Sequence, residues 1–165
     1  MAVVPPSGEG PRPALPRLER VLVATDSSEL GSSAVPYGGA IVRPGGTLKI
    51  LHVMEPASAK EKNQPRPGAA NPKLRMQLRS LVPPEAHNRF RIEPEIVESG
   101  EPAVAIRQAA ERLNADVICL GSHGRSGLAK TLLGSVAQAV MASSARPVLV
   151  VREADSSGMN RSVVV

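Results

Sequence analysis

Short apolar runs rich in β-branched residues alternate along this chain with segments of helical period, and that alternation leaves few architectures open. The first run, Val21-Leu22-Val23-Ala24-Thr25, is continuous, as a strand covered on both faces of a parallel sheet must be. It ends at Asp26-Ser27-Ser28, a helix N-cap signal, and Leu30, Ala34, Tyr37 and Ile41 then share one helical face. Gly31, Pro36, Gly38 and Gly39 make this helix weak by propensity, so packing must hold it, and Pro36 is expected to kink it. Pro44-Gly45-Gly46 reads as a turn, and Thr47 to Met54 as a second strand.

From Ala57 to Pro72 the chain is rich in Pro, Lys, Asn and Gly, and a short helix is expected from Lys73 to Val82, ended by Pro83-Pro84. Phe90 to Glu98 alternates apolar with charged residues. Pro94 inside it implies an edge strand, where a missing N–H costs nothing in the ladder. Ser99-Gly100-Glu101-Pro102 opens a helix whose apolar face is Val104, Ile106, Ala109, Ala110 and Leu113. Asp116 to Leu120 is a strand; Val136, Ala137, Val140 and Met141 form the stripe of a last helix, and Val148 to Val151 a last strand. The βα alternation specifies an α/β fold: a doubly wound, Rossmann-like, five-stranded parallel sheet with helices on both faces. Ligands in such sheets bind beyond the C-terminal strand ends, so Asp26 and the loop after Leu120 are expected to be neighbours. Asp116, at the opposite end, reads as a turn residue.

A chain of 165 residues suits one domain. Residues 1–17, with Pro5, Pro6, Pro11, Pro13 and Pro16, read as a disordered arm, 18–153 as the folded domain and 154–165 as a tail. Cys119 is the sole cysteine and lies inside an apolar run, which excludes a disulfide framework or a Cys/His zinc site and suits a reducing compartment. No run approaches the ~20 apolar residues that cross a bilayer, so a soluble, cytoplasmic protein without a membrane partner is expected.

Positive charge gathers at Lys60, Lys62, Arg66, Lys73, Arg75, Arg79, Arg89 and Arg91, opposed in that stretch by Glu61 and Glu85. With Tyr37 and Phe90 as the aromatic complement, there is no stacking platform for single strands, and nucleic acid is not the expected partner. A solvated basic face that concentrates anionic ligands fits better. His52 and His87 lack metal-ligand spacing, and no side chain is assigned to a metal.

The richest local pattern is GSHGRSGLAKTLLGS from Gly121. Gly121 lets the backbone leave its strand close to a ligand. Gly124 permits a turn that aims N–H groups inward, and Gly134-Ser135 adds a helix N-terminus and a hydroxyl on the same anion. A phosphate chain suits such a loop; a tight βα connection requires the same glycines for a simpler reason. A Walker A loop is one residue short, with Ala129 where its second glycine belongs, and no G-x-G-x-x-G dinucleotide fingerprint occurs. His123 has no partner carboxylate nearby in sequence and reads as a loop hydrogen-bonder, so no catalytic residue is assigned.

The spacing Gly121-x-x-Gly124, nine residues, Gly134-Ser135, with Val21 to Ser28, Ile50-Leu51-His52-Val53, Gly100-Glu101-Pro102 and Arg146 to Val151, resembles the universal stress protein family, specifically its ATP-binding branch. The likeness runs from about Arg20 to Arg152. It implies strand order 3-2-1-4-5, homodimerisation, often through the last strand, and a role in stress signalling or scaffolding with an unidentified protein partner. It also implies site residues: Ala24, Thr25 and Asp26 at the first strand end, with Asp26 toward the nucleoside or capping the first helix, and Val53 against adenine. Gly121, Ser122, His123, Gly124 and Arg125 would wrap ribose and phosphates, and Gly134, Ser135, Val136 and Ala137 the phosphate tail. Ala137 stands where Ser or Thr is often found, so one hydroxyl contact is missing. Mg²⁺ would arrive with ATP, and any hydrolysis would be slow. A scaffold of the same fold that never binds nucleotide is the alternative, and a slow ATPase the second.

Overall fold

The computed structural model describes residues 18–54, 56, 66–67, 71–122, 133–152 and 163–164. The expected arm at 1–17, most of the 57–70 stretch and residues 123–132 lie outside them. In chain order the elements are β1 (Leu18–Thr25), α1 (Glu29–Ser32), α2 (Ala34–Ile41), β2 (Val42–Met54), β3 (Arg66–Pro67), α3 (Pro72–Ser80), β4 (Arg91–Glu98), α4 (Pro102–Leu113), β5 (Val117–Gly121), α5 (Ser135–Ser143), β6 (Val148–Val151) and β7 (Val163–Val164).

The sheet runs β3-β4-β2-β1-β5-β6-β7. Its parallel body, β4-β2-β1-β5-β6, is the expected five-stranded 3-2-1-4-5 arrangement. At each rim a two-residue antiparallel strand is added, β3 on β4 and β7 on β6. The sequence pattern does not announce β3; it leaves the apolar end of the chain open to an edge strand across a dimer or to none, and Val163–Val164 pairs within its own chain. Alternation along β1 separates two apolar layers. Val21 and Val23 join Ile50, Ile96, Leu78 and Val35 on one side, beneath α2 and α3. Leu22 and Ala24 join Leu51, Ile118 and the buried alanines Ala105, Ala109, Ala110, Ala115 and Ala137 on the other, beneath α4 and α5.

Several local expectations are corrected. The first helix does not kink at Pro36 but divides at Ser33 into α1 and α2. The ring of Pro36 obstructs the carbonyl four residues earlier, Ser32, which is where α1 stops. The turn expected at Pro44-Gly45-Gly46 is instead a bulge within β2, where two steps from Leu18 to Arg20 match five from Val42 to Thr47. Gly45 takes φ +79, and a Cβ on Gly46 would stand 2.6 Å from the Glu19 carbonyl oxygen, so only glycines let the strand kink and re-pair there. In α4 the buried face includes Ala105 rather than Val104, and in α5 only Ala137 and Val140 are buried, leaving Val136 and Met141 exposed.

Pro94 lies in β4 at the rim of the parallel body, as expected. Its carbonyl accepts a 2.9 Å hydrogen bond from Arg75 Nη1, and the Ile92 carbonyl one of 3.4 Å from Arg79 Nη1. Two guanidinium groups one helical turn apart on α3 thereby cover the strand's outward acceptors. At the opposite end of the sheet, Asp116 does more than turn the chain: its Oδ2 accepts the amides of Glu19 and Arg20 at 2.8 Å each, fixing where β1 begins.

Candidate functional site

Parallel pairing of Ala24 with Leu120 puts the ends of β1 and β5 side by side, so Asp26 and Gly121 leave the sheet at the same rim. The two halves of the glycine pattern also meet. Ser122, buried, donates its amide to the Val151 carbonyl at 2.8 Å and accepts the Gly134 N–H on its own carbonyl at 2.7 Å. Gly134 is the N-cap of α5 and carries no side chain to cap it, and the Gln138 amide donates to the Gly134 carbonyl at 2.9 Å to begin the helix. The leading amides of α5 therefore have no partner within the helix, the arrangement that suits an anion.

Convergence of unspent donors is less complete than the sequence implies. The amides of Ser122 and Gly134, counted among those expected to face a phosphate, are used by the protein itself, because closing β5 onto β6 and onto the start of α5 consumes them. Ser135 and Val136 stand exposed at the head of α5, and Ala137 is buried beneath it. His123, Gly124 and Arg125 lie outside the described residues.

The remaining site residues divide between the faces of the sheet. Ala24, Val53 and Ala137 share the α4/α5 layer with Leu120 and Leu133, so the structure brings the adenine-side and phosphate-side positions onto one face. Thr25 belongs to the other face: its Oγ1 lies 3.0 Å from Ser32 Oγ of α1 and accepts the Ser27 amide at 3.0 Å. Asp26 lies between. Its Oδ1 accepts the Ser28 amide at 3.0 Å and the Ser28 hydroxyl at 2.5 Å, while Ser28 Oγ accepts the Gly31 amide at 3.0 Å. A Cβ on Gly31 would fall 2.0 Å from Asp26 Oδ1, so a glycine is what allows the carboxylate to settle over the head of α1. Ser28, whose hydroxyl takes the Gly31 amide, is thus the residue that caps α1, and Asp26, expected as a possible cap, acts one step back by holding Ser28.

Two residues absent from the sequence-derived set belong here. His52 is 4% exposed, with Nδ1 3.0 Å from Ser27 Oγ and 3.1 Å from the Thr25 carbonyl oxygen. Ser99, also buried, ties the end of β4 to β2 by donating its amide to the Met54 carbonyl at 2.9 Å, beside Val53. Only the parallel register of β1, β2 and β4 places these groups at the site; His52 carried one available clue, a polar residue inside an otherwise apolar strand run. Among the described residues no group of three or more His, Cys, Asp or Glu could hold a metal ion. Among them, too, no helix is long and apolar enough to cross a membrane.

Comparison with known proteins agrees with this geometry. The sequence profile described as the universal stress protein family matches residues 17–152. A universal stress protein of Methanocaldococcus jannaschii is 29% identical over 162 residues, spanning 84% of this chain and 97% of that protein. One from Thermus aquaticus is 32% identical over 135 residues, spanning 80% and 97%. A universal stress protein solved in complex with cAMP superposes with a TM-score of 0.59 at 25% identity, covering 84% of this chain and 99% of that one.

Proposed function

This chain belongs to the universal stress protein family, and from that premise we propose that it is an ATP-binding member acting in the cytoplasm as a nucleotide-dependent stress-signalling or scaffold dimer. The observation that carries the reading is the 2.7 Å bond from the Gly134 amide to the Ser122 carbonyl. It holds both ends of the glycine-rich segment at the uncapped head of α5, beside the end of β1, where a phosphate chain meets several main-chain dipoles at once. Asp26 would take the ribose and Val53 the adenine, with phosphates along Ser122 to Arg125 and Gly134 to Ala137. Mg²⁺ would accompany the nucleotide and shield its phosphate charge. The cAMP bound by a relative of the same fold supports an adenine nucleotide as the ligand class.

Calorimetry with MgATP tests this directly, together with mass spectrometry of small molecules released from freshly purified protein. Binding heat and a raised melting temperature are expected; neither at millimolar MgATP removes the reading. The proposed dimer would use the β6 rim, where Val163–Val164 already pairs with Val150 and Val151, so association there requires β7 to leave or to exchange between copies. Light scattering on the full chain and on a chain ending at Arg152 reads this out.

A second reading, a scaffold of this fold without nucleotide, draws on the same site. Asp26 already accepts the amide and hydroxyl of Ser28, the residue that caps α1, and the Ser122 and Gly134 amides are already spent. Protein that purifies free of nucleotide and ignores Gly124→Val favours it.

A further inference from the structure

His52 immediately precedes Val53 in β2, yet its ring lies on the opposite face of the sheet, buried under the turn that joins β1 to α1. Its Nδ1 faces two oxygens, the Thr25 carbonyl at 3.1 Å and Ser27 Oγ at 3.0 Å. A carbonyl oxygen only accepts. A bare Nδ1 would therefore set two lone pairs against each other in a buried place, whereas a protonated Nδ1 satisfies both oxygens in one three-centre bond. The Ser27 oxygen is a recipient in this arrangement, and its own hydrogen remains available on the exposed side.

Ser27 has φ +64, the left-handed region that a serine adopts only when its surroundings compensate. The compensation is visible: His52 holds the Ser27 hydroxyl, and Thr25 Oγ1 holds the Ser27 amide at 3.0 Å. With Ser27 so turned, Ser28 presents its amide and hydroxyl to Asp26 Oδ1 at 3.0 and 2.5 Å. The direction taken by the Asp26 carboxylate is thus decided two bonds away, on the far side of the sheet.

We propose that His52 is a positioning residue of the ligand site: through Nδ1–H it fixes the left-handed Ser27 turn, which orients Asp26 and leaves the Ser27 hydroxyl as an outward donor. The identity of the ligand rests on the nucleotide reading above, but the control of the turn does not.

The test uses the full chain as wild type, His52→Leu and His52→Asn, the asparagine amide nitrogen being able to stand where Nδ1 stands. Amide hydrogen exchange is followed at Ser27 and Ser28, and MgATP affinity by calorimetry. In His52→Leu, both amides are expected to exchange about tenfold faster and MgATP to bind about tenfold more weakly, as the loss of a buried donor implies. His52→Asn should return both to within about threefold of wild type. Unchanged exchange in His52→Leu, or identical behaviour of the two variants, overturns the proposal. If wild type takes up no MgATP while exchange still separates the variants, the nucleotide reading fails and the positioning role stands. Should His52→Leu not fold, the 15N resonance of His52 in wild type decides: a protonated Nδ1 supports the proposal, and an unprotonated one accepting from Ser27 overturns it.

Discussion

Gly134 donates its backbone N–H to the Ser122 carbonyl across 2.7 Å, so the chain leaves β5 and enters α5 at one point of the sheet's rim. Gly134 itself has φ −59 and ψ 148, a conformation open to any residue. A glycine there is not demanded by the backbone, and what it contributes is an absence of side chain over the first amides of α5.

That absence yields opposite effects on stability and binding. In Gly134→Ser the hydroxyl caps α5, raising stability by about 0.3 kcal/mol, because serine exceeds glycine only slightly as an N-cap. The same hydroxyl occupies the amides offered to phosphate, so MgATP affinity falls. Thermal melts with and without MgATP measure both signs on one sample.

Gly31→Ala should disturb the Asp26 turn, because the new Cβ would lie 2.0 Å from Asp26 Oδ1. The carboxylate must swing away and release Ser28, at a cost of about 1 kcal/mol in denaturant unfolding, the scale of a lost hydrogen bond. Weakened MgATP binding should accompany it.

Asp116→Ala leaves the amides of Glu19 and Arg20 without the carboxylate oxygen that each now meets at 2.8 Å. A loss of about 2 kcal/mol is expected, since both bonds are charge-assisted and the Arg20 site is partly buried. Asp116→Asn retains an acceptor oxygen and should lose about half as much. Urea unfolding of the two variants against wild type checks the ratio.

Glu95 supplies an acid-side pH dependence. Burial alone would raise its carboxyl, but hydrogen bonds and charge from Lys49 and Arg112 outweigh it and hold the group below the ordinary glutamate value of 4.5. Lys49 Nζ stands 2.8 Å from Oε2 and Arg112 Nη2 2.6 Å from Oε1. A folded-state value below the unfolded one means that the stabilisation is complete above pH 4.5 and is lost as pH falls through the folded value. Glu95→Gln should therefore be less stable at neutral pH by about 1 kcal/mol, as for a partly exposed ion-pair network, and the gap should close in acid. Unfolding curves at neutral pH and at successively lower pH decide it, the gap narrowing as the folded carboxyl takes up its proton.

Cys119 is buried in β5, and burial pushes its thiol up to about 12. The thiolate is the reactive species, so the folded protein should resist alkylation at mildly alkaline pH and react once denatured. Mass spectrometry after iodoacetamide treatment, with and without guanidinium, distinguishes the two.

The doubly wound parallel sheet was legible because its evidence is local, whereas the strand order 3-2-1-4-5 was implied by the family resemblance. The run from Val21 to Thr25 is apolar on both faces, as a central strand is, and Pro94 marks the rim strand by the amide it lacks. The meeting of Gly121-Ser122 with Gly134-Ser135 could likewise be read from glycine spacing. The sites of failure depended on partners distant in sequence. His52 looks idle without knowledge that Thr25 and Ser27 fall beside it, and the helical stripe placed Val136 and Met141 inside although α5 turns them outward. Ser33, not Pro36, breaks the first helix because the proline acts one turn upstream of itself.

The alanines beneath α4 and α5 carry a consequence for how such a protein can change. Where Ala105, Ala109, Ala110 and Ala137 line one side of the sheet, helix and strand approach closely, and every added methylene must push main chain apart. The other side, filled by Ile50, Leu78, Val35 and Ile96, can trade one branched shape for another of similar bulk. Apolar substitution should thereby cost less at the back of the molecule than at the front, where Ala24 and Val53 lie and added bulk would alter the contour.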